Sequence, residues 1–361
     1  MANMKTSTKR AELAKATPET RSGSRLRSPA PKEKDRAGPA PQIRLFQYFN
    51  LPEQRPFLDP GFEALDNIGH DAPLAALDVL TRQAQRAELT QASLWGALSW
   101  DFGETTGMTA QELRQQIAGN PGHDAYFIYP HPQIEALYQN VWQHGETLQP
   151  HFLALSKEFF RAAKLPVDLL KTLQPPRLFG TTDCVLATPA FWNSYLAWIS
   201  MALKLAEKNM PPAAFDMLYS SAPDEQTGRA TAPCIRLIVE RLLSVYLHSD
   251  EGRQFKACKL VPANPPAPPD VHLRLLADMR RVACQSRSTW LASCWANYRD
   301  LYCAERFGAA WASKHLKPFA ANEVIFPSNE ADIISTVSTS TPTAAIIGQP
   351  QLPAAAFGVP A

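Results

Sequence analysis

Long apolar runs are missing from this chain. Nothing in it reaches the roughly 18 uninterrupted apolar residues that read as a bilayer-spanning helix, so no transmembrane helix is expected. No apolar segment of about 7–15 residues follows the early charges, which argues against a secretory signal. The sequence also lacks G-x-G-x-x-G after a strand, G-x-x-x-x-G-K-[ST], G-x-S-x-G and H-E-x-x-H. Nicotinamide-linked redox, P-loop, serine-hydrolase and zincin chemistry are therefore without support. Cysteine is sparse: Cys184, Cys234, Cys258, Cys284, Cys294 and Cys303 form no C-x-x-C and no zinc-finger spacing with histidines. Several fall at apolar helix positions, where a thiol behaves as a small hydrophobe. A reduced, cytoplasmic protein is expected.

A strong net charge is absent as well. The total is +2 over 361 residues, but it is unevenly placed. Residues 1–42 hold ten Lys and Arg against four Asp and Glu; the remainder holds 26 against 30. The basic excess belongs to the tail, so the body is no platform for nucleic acid. That tail has no aromatic residue and only scattered aliphatics, and is expected to be disordered. The stretch after about residue 319 is rich in Ser, Thr, Ala and Pro and carries the same expectation.

What is present is globular: 45% hydrophobic residues and eight tryptophans. A folded body is expected over residues 43–318, interrupted at 262–269 by a linker with five prolines in eight residues. Residues 43–49, I-R-L-F-Q-Y-F, read as a short strand, and 58–71 as a turn-rich acidic loop. Helical spacing of Leu and Ala marks 73–87, and S-L-W-G-A-L-S-W at 93–100 reads as a buried strand. Thr109 and Glu112 form a capping box opening a helix that stops at the Gly119–Gly122 turn. A strand over Asp124–Tyr129 follows. Pro132 then suits a helix's first turn, with Ile134, Leu137, Tyr138 and Val141 on one face. Further helices are expected near 150–164, 189–208, 233–248, 270–284 and 288–314, with β character at 178–188 and 255–261. Strands alternating with helices predict an α/β layered domain with a largely parallel sheet.

The stretch N-P-G-H-D-A-Y-F-I-Y-P-H-P, residues 120–132, invites a metal reading through His123, Asp124 and His131. A six-residue strand spans roughly 20 Å, and an ion needs its ligands at about 2 Å. The two histidines therefore cannot share one. Ligands in open α/β sheets lie outside the carboxyl ends of strands. Asp124, at the strand's start, then reads as a turn or cap residue, and Tyr129, Pro130 and His131 occupy the ligand-facing end. In N-V-W-Q-H-G-E, residues 140–146, Gly145 reads as a helix C-cap with Trp142 in the core, the alternative being a polar site with Glu146. Asp183, in T-T-D-C-V-L-A-T, is either a buried loop acid or a contact for a sugar hydroxyl. Glu240 and Arg241 lie on an apolar helix about 100° apart, so at least one turns inward and needs a partner.

Taken together, I-R-L-F-Q-Y-F, W-G-A-L-S-W-D-F-G-E-T-T-G-M, N-P-G-H-D-A-Y-F-I-Y-P, N-V-W-Q-H-G-E, T-T-D-C-V-L-A-T-P-A-F-W-N-S-Y and I-R-L-I-V-E-R-L-L-S-V-Y-L resemble bacterial glycosyltransferase-like proteins of cell-surface polysaccharide loci. The resemblance spans about residues 43–318. It implies a GT-A-like fold with one mixed central sheet, a nucleotide-diphosphate sugar as donor, and a glycan or lipid-linked acceptor, with peripheral membrane association as a further expectation. It places Asp124 where such enzymes carry Asp-x-Asp holding Mg²⁺ or Mn²⁺, although here the triplet is Asp-Ala-Tyr. It implies donor contacts at Asp124, Tyr126, Trp95, Trp100 and Arg241, acceptor contacts at His131, Trp142 and Glu146, and catalysis by Glu240 and Asp183. The missing second carboxylate leaves open a non-catalytic nucleotide-sugar- or glycan-binding protein. A metal-dependent hydrolase built on His123, Asp124 and His131 is a weaker alternative.

Overall fold

The computed structural model describes residues 42–70, 73–221, 232–262, 270–316, 324–327 and 334–336. The expected basic tail, the proline-rich linker and most of the C-terminal tail lie outside them. Six strands build a mixed sheet: β1 (Ile43–Phe49), β2 (Glu63–Asp66), β3 (Leu94–Ser99), β4 (Ala125–Ile128), β5 (Val185–Ala187) and β6 (Ala257–Leu260). A seventh, β7 (Ile334–Thr336), extends it in the order β2-β1-β3-β5-β4-β6-β7. Neighbours pair parallel except at β5, which runs antiparallel to both β3 and β4. The sheet is thus mostly parallel, with one reversed strand near its centre.

The helices are α1 (Ala75–Ala84), α2 (Phe102–Thr106), α3 (Ala110–Gly119), α4 (Pro132–Leu137), α5 (Val141–Leu148), α6 (Phe152–Ala162), α7 (Pro189–Asn209), α8 (Pro212–Tyr219), α9 (Cys234–Tyr246), α10 (Val271–Ser286), α11 (Thr289–Phe307) and α12 (Ala309–His315). They cover the sheet unequally. Side chains alternate across a strand, so Leu45, Leu94, Leu98, Tyr126 and Ile128 face a thin layer made by α2 and α3. Phe46, Trp95, Ala97, Phe127 and Val185 face the other side, where the remaining helices form the larger core. Both faces are covered, as a parallel sheet requires.

Local signals account for most elements. The Thr109 hydroxyl accepts from Glu112 N at 3.2 Å, while Thr109 N donates to Glu112 Oε2 at 2.7 Å, closing the capping box. Thr188 caps α7 and Asp270 caps α10 in the same way. Four expectations need correction. The acidic loop contains β2, whose residues are mostly exposed on a sheet edge and so carry no alternating apolar signal. The single helix expected from Pro132 is two, because Tyr138 is extended and Asn140 recaps the chain by accepting from Gln143 N. Gly145 is no cap: it lies within α5, and a Cβ there would meet the Phe152 ring at 2.2 Å. The helix expected over 288–314 breaks at Gly308, whose φ of +95° few other residues would tolerate. Two pieces of the C-terminal stretch also join the fold, with Ile325 bridging Thr172 and β7 pairing with β6. No helix among the described residues is long and apolar enough to cross a membrane.

Candidate functional site

Strand order locates a crevice. The chain leaves β1 toward β2 on one side, while β3 lies on the other, so connections diverge at the carboxyl ends of β1 and β3. Such a switch point opens a gap between loops where ligands bind in open α/β sheets. Gln47 holds the two ends together. Its buried amide donates to the carbonyls of Ser99 and Trp100 at 3.1 and 2.8 Å, and accepts from Asp59 N at 3.0 Å. Tyr48 of β1 and Asp101, just past β3, are thereby presented at the same edge.

The antiparallel strand brings a further acid to that edge. Because β5 runs backward, its start lies beside the carboxyl ends of its neighbours, and Asp183 immediately precedes it. Thr182 fixes this turn against α9: its hydroxyl donates to Glu240 O at 2.8 Å and meets Tyr195 Oη at 3.3 Å. Asp183 is thereby brought within electrostatic reach of Glu240. Asp183 itself is exposed on this edge. Desolvation by the protein packed beside it, and then the like charge of Glu240, push Asp183 up to about 7; Arg236, Arg241 and a hydrogen bond from Thr181 pull the other way. Glu240 is held by Arg236 across one turn of α9, Nε to Oε1 at 2.8 Å. Tyr48 is raised by enclosure and then by Asp183, with Glu240 and Asp101 adding to the effect. A cavity of about 80 Å³ adjoins this group, lined by Tyr48, Asn50, Arg236, Glu240 and the first turn of α1.

Of the residues singled out from sequence, Asp183 and Glu240 come together here, and Trp100 stands next to Asp101 on the rim, packed against Phe57 at 6.0 Å between ring centroids. Arg241 turns inward behind them. It is 3% exposed, donates to Val141 O at 2.8 Å and Leu237 O at 2.9 Å, and lies over the Phe152 ring. It answers the requirement for a partner with backbone carbonyls, not with ligand charge, and Arg236 is the arginine that faces the crevice.

The others are elsewhere. Asp124 sits at the amino end of β4, the opposite edge of the sheet. Its carboxylate accepts from Lys256 N at 2.8 Å, and its backbone bonds to Lys256 O and Thr188 N tie β4 to both neighbouring segments. No group of three or more His, Cys, Asp or Glu among the described residues could hold a metal ion. Asp124 in particular is engaged by backbone, so its surroundings do not fit Mg²⁺ or Mn²⁺. Tyr126 lies on the thin layer and donates to Asn120 O at 2.6 Å, where His123 Nδ1 also approaches at 3.1 Å. Trp95 and Trp142 are core residues, the first against Trp192 and the second against Phe152 and Phe160. Glu146 accepts from Leu153 N at 2.6 Å, pinning the start of α6. His131 is at the carboxyl end of β4, with its ring edge-on to Tyr129 and its pKa lowered by burial. His123 and His131 flank β4 at opposite ends.

Sequence reasoning missed Tyr48, Asp101 and Arg236. Arg236 was readable as the i−4 partner of Glu240 on one helix face. Tyr48 and Asp101 gain their place only from the sheet order, which no local pattern encodes. Comparison with known proteins finds no matching family model, no matching curated protein and no matching solved structure.

Proposed function

We propose that this chain is a glycosyltransferase, moving a sugar from a nucleotide-diphosphate donor to a glycan or lipid-linked acceptor. The observation that carries the reading is the pair of acidic residues Asp183 and Glu240, within electrostatic reach of each other at the switch point of a mostly parallel sheet, with Asp183 exposed to solvent. A mixed sheet with one reversed strand, covered by helices on both faces, is the architecture a GT-A-like domain calls for, and the sequence blocks that resemble such proteins include the strand and helix that build the crevice.

The chemistry needs a group that takes a proton from the acceptor hydroxyl as its oxygen bonds to the sugar and the bond from sugar to diphosphate breaks. A carboxyl group with its pKa raised toward neutrality is suited to that proton transfer. Asp183 is such a group, and water reaches it to carry the proton away. Glu240, fixed by Arg236, sets the negative charge that keeps Asp183 basic.

The test is a thermal-shift and turnover screen with nucleoside diphosphates and their sugars, with and without Mn²⁺. A ligand at a hundredfold excess over its dissociation constant stabilises the fold by about 2.7 kcal/mol. Stabilisation by a nucleoside diphosphate, together with donor turnover that Asp183→Asn abolishes, is the expected result. Absence of any shift with every nucleotide sinks the proposal. Binding without turnover of any donor would instead make the chain a nucleotide-sugar-binding protein.

A further inference from the structure

The loop joining β1 to β2 inverts the usual surface pattern. Over residues 50–59 the polar side chain of Gln54 turns back on the chain, accepting from Asn50 N at 2.8 Å and Leu51 N at 3.1 Å. The apolar side chains turn out: Phe57 is 70% exposed and Leu51 55%. A lone exposed apolar residue is ordinary, but this loop is fixed at both ends. Asn50 Oδ1 accepts from the Asn67 amide at 2.7 Å, and Asp59 N donates to Gln47 Oε1 at 3.0 Å. Pro52 and Pro56 stiffen what lies between. The scaffold itself therefore holds Phe57 out in water.

Gln47 decides what Phe57 stands beside. The amide that takes Asp59 N also donates to Trp100 O at 2.8 Å, joining the end of the loop to the end of β3. The Phe57 and Trp100 rings meet at 6.0 Å between centroids and 58° between planes, a contact that leaves most of Phe57 uncovered. Asp101 follows directly. It occupies the N-cap of α2, yet its carboxylate does not cap that helix. Asp101, Asp183 and Glu240 all lie within electrostatic reach of Tyr48 on this edge, with Arg236 paired to Glu240. Exposed aromatic faces and carboxylates thus share one rim.

We propose that Phe57 and Trp100 form a stacking platform for one sugar ring, whose hydroxyls donate to Asp101 and Asp183. The C–H face of a sugar ring is apolar and carries partial positive charge, which suits the negative face of an aromatic ring. Its hydroxyls are donors, and an ionised carboxylate only accepts. The charge on this rim tells against other occupants. Glu53 and Arg55 on the loop offset each other, so the acids leave an excess of negative charge that an anionic lipid surface would avoid. A wholly aliphatic partner would strip water from the carboxylates without replacing it. In the transfer reaction, on whose reading this role rests, the platform holds the sugar ring at the edge where Asp183 stands.

The test uses the full chain labelled with fluorotryptophan, the Trp100 resonance being assigned by its loss in Trp100→Phe. The probes are tetrasaccharides of glucose, galactose and N-acetylglucosamine, the uridine diphosphate sugars of the same three, uridine diphosphate alone, and phosphatidylcholine vesicles. The Trp100 resonance is expected to move with a free saccharide, which makes the ring the acceptor's, or with a sugar nucleotide but not uridine diphosphate, which makes it the donor's. Phe57→Ala is expected to weaken that binding about tenfold at an unchanged melting temperature, Phe57→Tyr to restore it, and Asp101→Asn to weaken it several-fold. No movement with any sugar, binding that Phe57→Ala leaves intact, or movement with vesicles alone overturns the platform. Phe57-dependent saccharide binding without turnover of any donor leaves the platform standing and removes the transferase. Transfer that continues in Phe57→Ala with KM unchanged for both substrates removes the platform and keeps the transferase.

Discussion

The two ends of the sheet treat their polar residues in opposite ways. At the amino end of β4, the Asp124 carboxylate accepts from Lys256 N, the Tyr126 hydroxyl donates to Asn120 O, and the backbone of Asp124 bonds to Lys256 and Thr188. Every one of these groups has a local partner supplied by the backbone. At the carboxyl end, Asp183 lies within electrostatic reach of Glu240, and Leu74 opens α1 without a side-chain cap. The first arrangement stabilises the fold. The second leaves like charges together, an arrangement found where function uses it. The difference teaches that a conspicuous acidic residue is not a site because of its type. It becomes one when the fold leaves its interactions incomplete.

Substitutions at the two ends should therefore fail differently. The largest effect is expected for Asp183→Asn, with turnover falling about 10²–10⁴-fold while the melting temperature holds or rises. A large loss of stability would place Asp183 with the structural acids. Next comes Asp124→Ala, expected to cost about 1–3 kcal/mol in chemical denaturation because Lys256 N loses its acceptor. Nucleotide affinity should not change; if it does, the comparison breaks.

The pH dependence is a smaller effect with a definite sign. Asp183 is raised in the folded state to about 7, so its contribution to stability is full below the ordinary carboxylate range and is lost as pH rises through neutrality. Water at the open side of the crevice reduces the size of that loss, leaving about 1 kcal/mol. Asp183→Asn should accordingly be more stable than the parent at pH 8 and lose that advantage near pH 4, as read from denaturation curves at both values. The smallest effect is expected at Glu146→Gln, which keeps an acceptor for Leu153 N and should change stability by less than about 1 kcal/mol. A change in acceptor KM in that variant would return Glu146 to the binding surface.

The legible parts of this molecule are those written in local chemistry. β1, β3 and β4 show as short apolar runs between turn residues, and the Thr109 capping box announces α3. The Glu240–Arg241 conflict on an apolar helix is visible in the same way, and the structure resolves it by turning Arg241 onto carbonyls and leaving Glu240 at the crevice. What was not legible depends on pairing between distant segments. Nothing in V-L-A signals that β5 runs backward, since strand direction is set by the partners it finds. Without that reversal, Asp183 could not be assigned to the same edge as Tyr48 and Asp101. The exposed β2 went unseen because an edge strand of four residues with no buried face has no periodicity to read.

The placement of β5 also bears on how the molecule is made. β1, β2 and β3 pair among themselves, but β4 has no neighbour in the sheet until β5 and β6 have been synthesised. During translation the chain therefore carries a paired three-strand half and an unpaired strand, and a strand edge left open is an invitation to wrong partners. β5 ends that interval by wedging between β3 and β4. Since Asp183 directly precedes it, the event that joins the halves is the same one that delivers the acid to its place. A nascent chain that has not closed its sheet has yet to bring Asp183 to the edge it shares with Tyr48 and Asp101, so that grouping arrives only with the finished scaffold.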